Sequence, residues 1–207
     1  MSWKLRMVTL DDAAGIAGIY EPIVRSTPIS FEIEPPGERE IRSRIERTLT
    51  AYPWLVCEYS DRLAGYAYAS RHAERVAYQW SVDTSIYVHS DFQRRRVGQA
   101  LYTSLFRILA AQGYYNAYAG ITLPNPGSVG LHESVGFRPI GVYREVGYKM
   151  GAWHDVGYWE LALQPKPLVP RSLLSLADIR RDPSWHEMLV SGSSLLRSFP
   201  GTLMEHP

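Results

Sequence analysis

Between Trp54 and Val88 the chain passes through three segments rich in aromatic and β-branched residues, at 54–58, 64–70 and 78–88. The links between them are short, with Asp61-Arg62 as a turn between the first two. Parallel neighbours need a crossover of roughly a dozen residues or more, so strands linked this way form an antiparallel meander. Ahead of the meander the periodicity predicts a strand over 3–10 and a helix over 13–24. Asp11 and Asp12 supply the helix N-cap and acidic first turn, and Ile16, Ile19, Tyr20 and Ile23 share one face. A loop with Pro28 and Pro35-Pro36-Gly37 carries Phe31, and a second, highly charged helix covers 38–51.

Beyond Val88 comes a basic loop over 92–97, then a helix over 98–111 that places Leu101, Leu105, Ile108 and Leu109 on one face before Gly113. A strand over 117–123, a short helix over 128–135 with Ser128 as candidate N-cap, and closing strands over 138–146 and 153–163 complete the pattern. The order β, two helices, meander, then βαβαββ predicts one α/β (α+β) domain over residues 1–164, a mixed sheet with helices on its faces. Residues 165–207, rich in proline and serine, read as an extension. It is expected to be loosely ordered or to form short helices over 172–180 and 185–190, with composition favouring loose order.

Lysine and arginine number 22 against 21 acids, a formal net charge of +1, so nothing electrostatic argues for a nucleic-acid partner. Hydrophobic residues at 45% and charged residues at 21% exclude a disordered chain. The single cysteine, Cys57, excludes an intramolecular disulfide framework and a multi-cysteine metal site; it reads as a core residue. No apolar run approaches the ~18 residues of a membrane span, and no secretory signal opens the sequence. A soluble cytoplasmic protein with no membrane partner is the expectation.

Three features carry chemistry. Where the strand ending at Val88 gives way to the Arg94-Arg95-Arg96 loop and a new helix, free backbone N–H groups and positive charge suit an anion such as a pyrophosphate; an ordinary solvated turn would look the same. Asn125 sits in the loop before the short helix, and His132 lies four residues beyond Ser128 on the same face, as a catalytic or merely structural imidazole. Asp83 faces away from Val82 and Thr84 in a strand short of charge, either at a wet edge or in a cleft. Glu133 reads as a surface charge.

In this order and spacing the three features resemble the GNAT superfamily of N-acetyltransferases, and more narrowly the phosphinothricin and methionine sulfone/sulfoximine N-acetyltransferases. The resemblance rests on Gly65-Tyr66-Ala67-Tyr68-Ala69, Gln93-Arg94-Arg95-Arg96-Val97-Gly98, Leu123-Pro124-Asn125, Leu131-His132-Glu133 and Gly147-Tyr148-Lys149 through Gly157, and covers about residues 3 to 164. It implies a mostly antiparallel sheet with helices on both faces and a splayed central strand pair. It also implies acetyl transfer from acetyl-CoA to the α-amino group of a small amino-acid-like substrate, in a homodimer that needs no metal.

By the same resemblance the backbone of Ile86, Tyr87 and Val88 would pair with the pantetheine arm, and Arg94, Arg95, Arg96, Val97, Gly98 and Gln99 would cradle the pyrophosphate. Asn125 would bind the cofactor arm. Phe31, Arg75 and Tyr78 would line the substrate pocket. Asp83, where this subfamily usually has glutamate, would be the base, and His132 the acid or leaving-group stabiliser. Three departures matter. Asp83 is one methylene short of glutamate, which favours a water relay. Arg96 replaces a loop glycine, so positive φ there is penalised. Ala73 lies near a position where relatives often carry a basic substrate contact. Two other activities fit: an impaired acyl-CoA-binding module, and an N-acetyltransferase of protein or peptide amines.

Overall fold

The links that had to be short are short. The computed structural model describes residues 2–198. It joins β2 (Trp54–Tyr59) to β3 (Arg62–Arg71) through Ser60 and Asp61, both at positive φ. β3 reaches β4 (Ser81–Val88) through a tight turn at Val76–Tyr78, and both pairings are antiparallel. Tyr78 therefore lies in that turn and not in the strand expected from residue 78. The Arg75 carbonyl accepts its N–H and the Val76 carbonyl accepts that of Gln79, so the chain coils before the ladder starts.

β1 (Trp3–Met7) adds antiparallel to β2. It stops short of Leu10 because Leu10–Asp12 forms a turn, in which the Asp12 carboxylate accepts the Thr9 N–H at 2.7 Å and pairs with Arg6 at 2.7 Å. Asp12 is the N-cap of α1 (Ala13–Ser26), yet its carboxylate is committed to Arg6 and Thr9 and caps no helix amide.

Three further strands, β5 (Asn116–Leu123), β6 (Arg138–Lys149) and β7 (Ala152–Ala162), complete a seven-stranded sheet among the described residues, in the order β1-β2-β3-β4-β5-β7-β6. Neighbours run antiparallel except β4 and β5. Their parallel pairing covers Ser81 with Asn116, Val82 with Ala117 and Asp83 with Tyr118, then ends. From Thr84 onward β4 stays bonded to β3 and parts from β5.

Helices hold this opening from both sides. Ile16 and Ile19 of α1, with Ile41 and Ile45 of α2 (Glu38–Leu49), pack on Trp54, Val56 and Tyr66. On the other face Leu101, Leu105 and Leu109 of α3 (Val97–Gln112) pack on Leu55, Ala67 and Val82. Each such side chain contributes about 1.5–3 kcal/mol on burial. α4 (Pro126–Ser134) lies against α3 at Gly98, where a Cβ would come within 2.7 Å of Leu131 Cδ2. Asn125, not Ser128, caps α4: its Oδ1 accepts the Ser128 N–H at 3.1 Å, and Pro126 starts the helix earlier than the periodicity indicated.

The extension departs from what its composition favours. α5 (Leu176–Ile179) and α6 (Trp185–Val190) bury Leu176, Ile179 and Met188 in the core shared with α3. Ser104 Oγ accepts the Gly192 N–H at 3.1 Å, and the Arg95 carbonyl accepts that of Arg197 at 3.1 Å. Residues 199–207 of the expected extension lie outside the described residues. Among the described residues no helix is long and apolar enough to cross a membrane, and no cluster of three or more His, Cys, Asp or Glu is placed to hold a metal ion.

Candidate active site

Alternation along β4 sorts its side chains to the two faces. Val82 and Ile86 pack with the α3 cluster, whereas Tyr87 packs with the α1–α2 cluster. Asp83 and Ser85 share the face of Tyr87. The cleft opened by the parting strands is lined by Thr84, Ser85, Ile86, Tyr87, Asn125 and His132, together with Tyr102, Ser128 and Ile29.

On the α3 face His132 is 3% exposed and both ring nitrogens are used. Nδ1 lies 2.8 Å from the Ser128 carbonyl, which can only accept, so Nδ1 carries the proton. Nε2 then accepts the Tyr102 hydroxyl at 2.9 Å. Burial pushes the imidazole below its ordinary value, against the opposing pull of the Ser128 carbonyl, and burial raises the Tyr102 phenol. The pair is neutral at neutral pH. Tyr102 was not singled out from the sequence: in a stripe of Leu101 and Leu105 it reads as core, and only α4 docked on α3 reveals the contact.

On the opposite face Asp83 Oδ1 lies 2.7 Å from Nδ1 of His72, just past the end of β3. The His72 ring stacks on Tyr118, with centroids 4.4 Å apart, and presents an edge to Tyr78 at 6.0 Å. Both side chains are only partly covered, His72 at 30% and Asp83 at 45% exposure. Burial raises the Asp83 carboxyl, and the bond to His72 opposes that rise. His72 was also missed; its signal was the hairpin register, which pairs Ser70 with Asp83 and carries residue 72 alongside. Asp83 is the last β4 residue paired to β5, so it stands just before Thr84, where the lining of the cleft begins. The sheet separates it from His132.

The residues expected around a substrate come from three elements. Tyr78 stands beside His72, and Arg75 is exposed with no ion pair among the described residues. Phe31 is on another flank, resting on Gly147, where any side chain would strike its ring, and near His154. Its loop is pinned by Lys149, whose Nζ donates to the Val24 carbonyl at 2.6 Å and the Ser30 carbonyl at 2.7 Å. Thr122 Oγ1 donates to the Ile29 carbonyl at 3.2 Å and ties the same loop to β5. Cys57 is buried, its thiol pushed up to about 12 by burial, as suits a core residue.

At the other end of the cleft, the β4 edge that faces β5 has no strand partner among the described residues from Thr84 to Val88. Arg94 and Arg96 both take positive φ, 60° and 61°, so the penalised conformation is the one adopted. Arg96 is the N-cap of α3 and makes no side-chain cap bond, which leaves the first-turn N–H groups open. Beside them a groove of about 420 Å³ is bounded by Arg96, Gln99, Thr103, Ser134 and Leu195. An open strand edge leading to an uncapped, arginine-flanked helix start fits a long arm ending in phosphates.

Comparison with known proteins agrees with this geometry. Residues 5–157 match the acetyltransferase (GNAT) domain. A phosphinothricin N-acetyltransferase of Streptomyces viridochromogenes is 39% identical over 171 residues, covering 81% of this chain and 93% of that protein. An L-methionine sulfoximine/L-methionine sulfone acetyltransferase of Pseudomonas aeruginosa is 29% identical over 172 residues, covering 82% of this chain and all of that one (100%). Among solved structures, a phosphinothricin acetyltransferase from Sinorhizobium meliloti in complex with acetyl-CoA superposes with a TM-score of 0.79 at 29% identity, covering 86% of this chain and 97% of that one.

Proposed function

The chain belongs to the GNAT acetyltransferase family, and from that premise we propose that it acetylates the free α-amino group of a small amino-acid-like substrate across the opening between β4 and β5. It is an acetyl-CoA-dependent N-acetyltransferase. The observation that carries the reading is the end of β4–β5 pairing at Asp83 and Tyr118, with a cleft beyond it that both faces line. We take residues 1–164 as the catalytic domain and 165–207 as its extension. Dependence on acetyl-CoA supports a cytoplasmic location.

Acetyl-CoA enters as a substrate. The free backbone edge over Ile86, Tyr87 and Val88 takes the pantetheine arm, and a β4 N–H stabilises the oxyanion; one such donor is worth roughly 3 kcal/mol of barrier. The loop from Arg94 through Gln99 takes the pyrophosphate, with Arg94, Arg95 and Arg96 supplying charge beside the N–H groups of Val97 and Gly98. Asn125 has its Oδ1 committed to the α4 cap, so its Nδ2 is the atom left for the cofactor arm. Arg75 and Tyr78 hold the acid group of the substrate, with Phe31 against its side chain.

The attacking amine must shed a proton toward Asp83, and the departing thiolate needs stabilisation from the other side. A neutral His132 whose Nε2 accepts the Tyr102 hydroxyl has no proton to give there, and the single hydrogen of that hydroxyl is spent on the imidazole, so we assign the pair to shaping the α3-side wall of the cleft. A second copy of the chain is the natural occupant of the sheet's far side: β6 ends the sheet and leaves Ile140, Val142, Tyr143 and Val146 exposed. Light scattering at a dimer mass is the expected result.

The decisive experiment is thiol release from acetyl-CoA with phosphinothricin, methionine sulfone, methionine sulfoximine, ordinary amino acids and short peptides as acceptors. Turnover with amino-acid analogues above that with peptides supports the reading. Calorimetric binding of CoA with no turnover on any acceptor would make the chain a binding module instead.

A further inference from the structure

Asp83 alone is a short base in an awkward place. It sits just before the β4 residues that line the cleft, and one of its oxygens is taken by His72 Nδ1 at 2.7 Å. That contact has a consequence for the imidazole. A carboxylate accepts, so Nδ1 carries the hydrogen and Nε2 is left with a lone pair. No described residue bonds Nε2, and the side chain is 30% exposed. Stacking on Tyr118 at 4.4 Å and an interplanar angle of 22° fixes the ring plane, so Nε2 has a set direction. A carboxylate that selects the tautomer, an oriented ring and an open nitrogen together form a base with its support.

We propose that His72 is the proton acceptor for the incoming amine, with Asp83 as the residue that orients it and stabilises its protonated form. The proposal rests on the acetyl-transfer reading and deepens it: the imidazole supplies the reach that an aspartate lacks, and no water relay is needed. In the reaction the substrate ammonium gives one proton to His72 Nε2. The freed nitrogen lone pair forms the C–N bond to the thioester carbonyl carbon. As the tetrahedral intermediate collapses, the C–S bond breaks with its electron pair on sulfur, and the second nitrogen proton goes to that thiolate. The proton on Nε2 passes to water. Nothing is oxidised or reduced.

The groups facing the ring are Asp83 from β4, Tyr118 from β5 and Tyr78 from the turn; Glu160 of β7 acts on Tyr118, and Asp83 acts on Tyr118 and on Tyr158 of β7. Asp83 is the group in direct hydrogen-bond contact with the ring, through Nδ1.

The test uses the full chain and its best acceptor amine. His72→Gln can still donate to Asp83 but cannot take up a proton. Expected are a fall in kcat of at least about 100-fold, unchanged acetyl-CoA binding by calorimetry, and loss of the acidic limb of the kcat/KM–pH profile. In His72→Gly, added imidazole restores turnover, which a packing role would not allow. His72→Gln within about threefold of the parent, with the acidic limb intact, overturns the proposal and returns the base to Asp83. Failure of the acetyl-transfer reading looks different: the parent enzyme itself releases no thiol.

Discussion

The two sides of the β4–β5 opening keep their imidazoles in opposite states. On the α3 side His132 is enclosed, with Nδ1 and Nε2 both bonded inside the protein. On the far side the partly exposed His72 has one nitrogen on Asp83 and the other without a hydrogen-bond partner among the described residues. Ring chemistry is the same in both places; what differs is how many of its bonds the fold has already used. A saturated imidazole holds structure, and a half-used one can exchange a proton. On the proposal made above, the imidazole carries the reach that the aspartate lacks.

Four measurements press on this contrast. Asp83→Ala should lower kcat/KM for the amine by about 100- to 10,000-fold, with little change in thermal midpoint, because both members of that pair are partly in water. Equal losses in activity and stability would erase the difference between the sides. Truncation after Leu163 should act on the α3 side alone, removing Leu176, Ile179 and Met188 from the core. At roughly 1.5–3 kcal/mol each, denaturant unfolding should shift by several kcal/mol. An unchanged midpoint would show that the extension merely rests on α3.

Tyr102→Phe takes the donor from His132 and leaves Nε2 buried without a partner, so a loss of about 1–3 kcal/mol is expected in the same unfolding assay. The smallest effect concerns pH. His132 lies below its ordinary value in the fold, so below about 6.5 the unfolded chain binds a proton that the folded chain does not. Its contribution is complete above that pH and declines as pH falls toward the lowered value, by less than about 1.4 kcal/mol per pH unit. Thermal midpoints measured at falling pH should show this slope in the parent and a flatter one in His132→Gln.

Much of this arrangement is legible in the sequence because it is local. Short links dictated the meander, and the 3.6-residue spacing of Leu101, Leu105 and Leu109 placed α3. What escaped was set by contacts between distant segments. Tyr102 and His132 meet because Gly98 lets α4 approach α3, and His72 reaches Asp83 through a strand register that no residue type announces. The start of β4 was misplaced because Tyr78, a good strand former, is held by turn bonds from Arg75 and Val76. The order of 165–198 was hidden for a similar reason: proline and serine content says little about the few apolar side chains that dock.

One bond described earlier reaches further than its length. The Arg95 carbonyl holds the Arg197 amide at 3.1 Å, so the arginine-rich turn at the head of α3 and the distal part of the extension share one anchor point. Where binding of a ligand at the turn is coupled to that bond, it steadies the far segment, and pulling the segment away weakens the ligand by the same free energy. Protease resistance near Arg197, measured with and without acetyl-CoA, then tests whether the arginine-rich turn and the distal extension are linked.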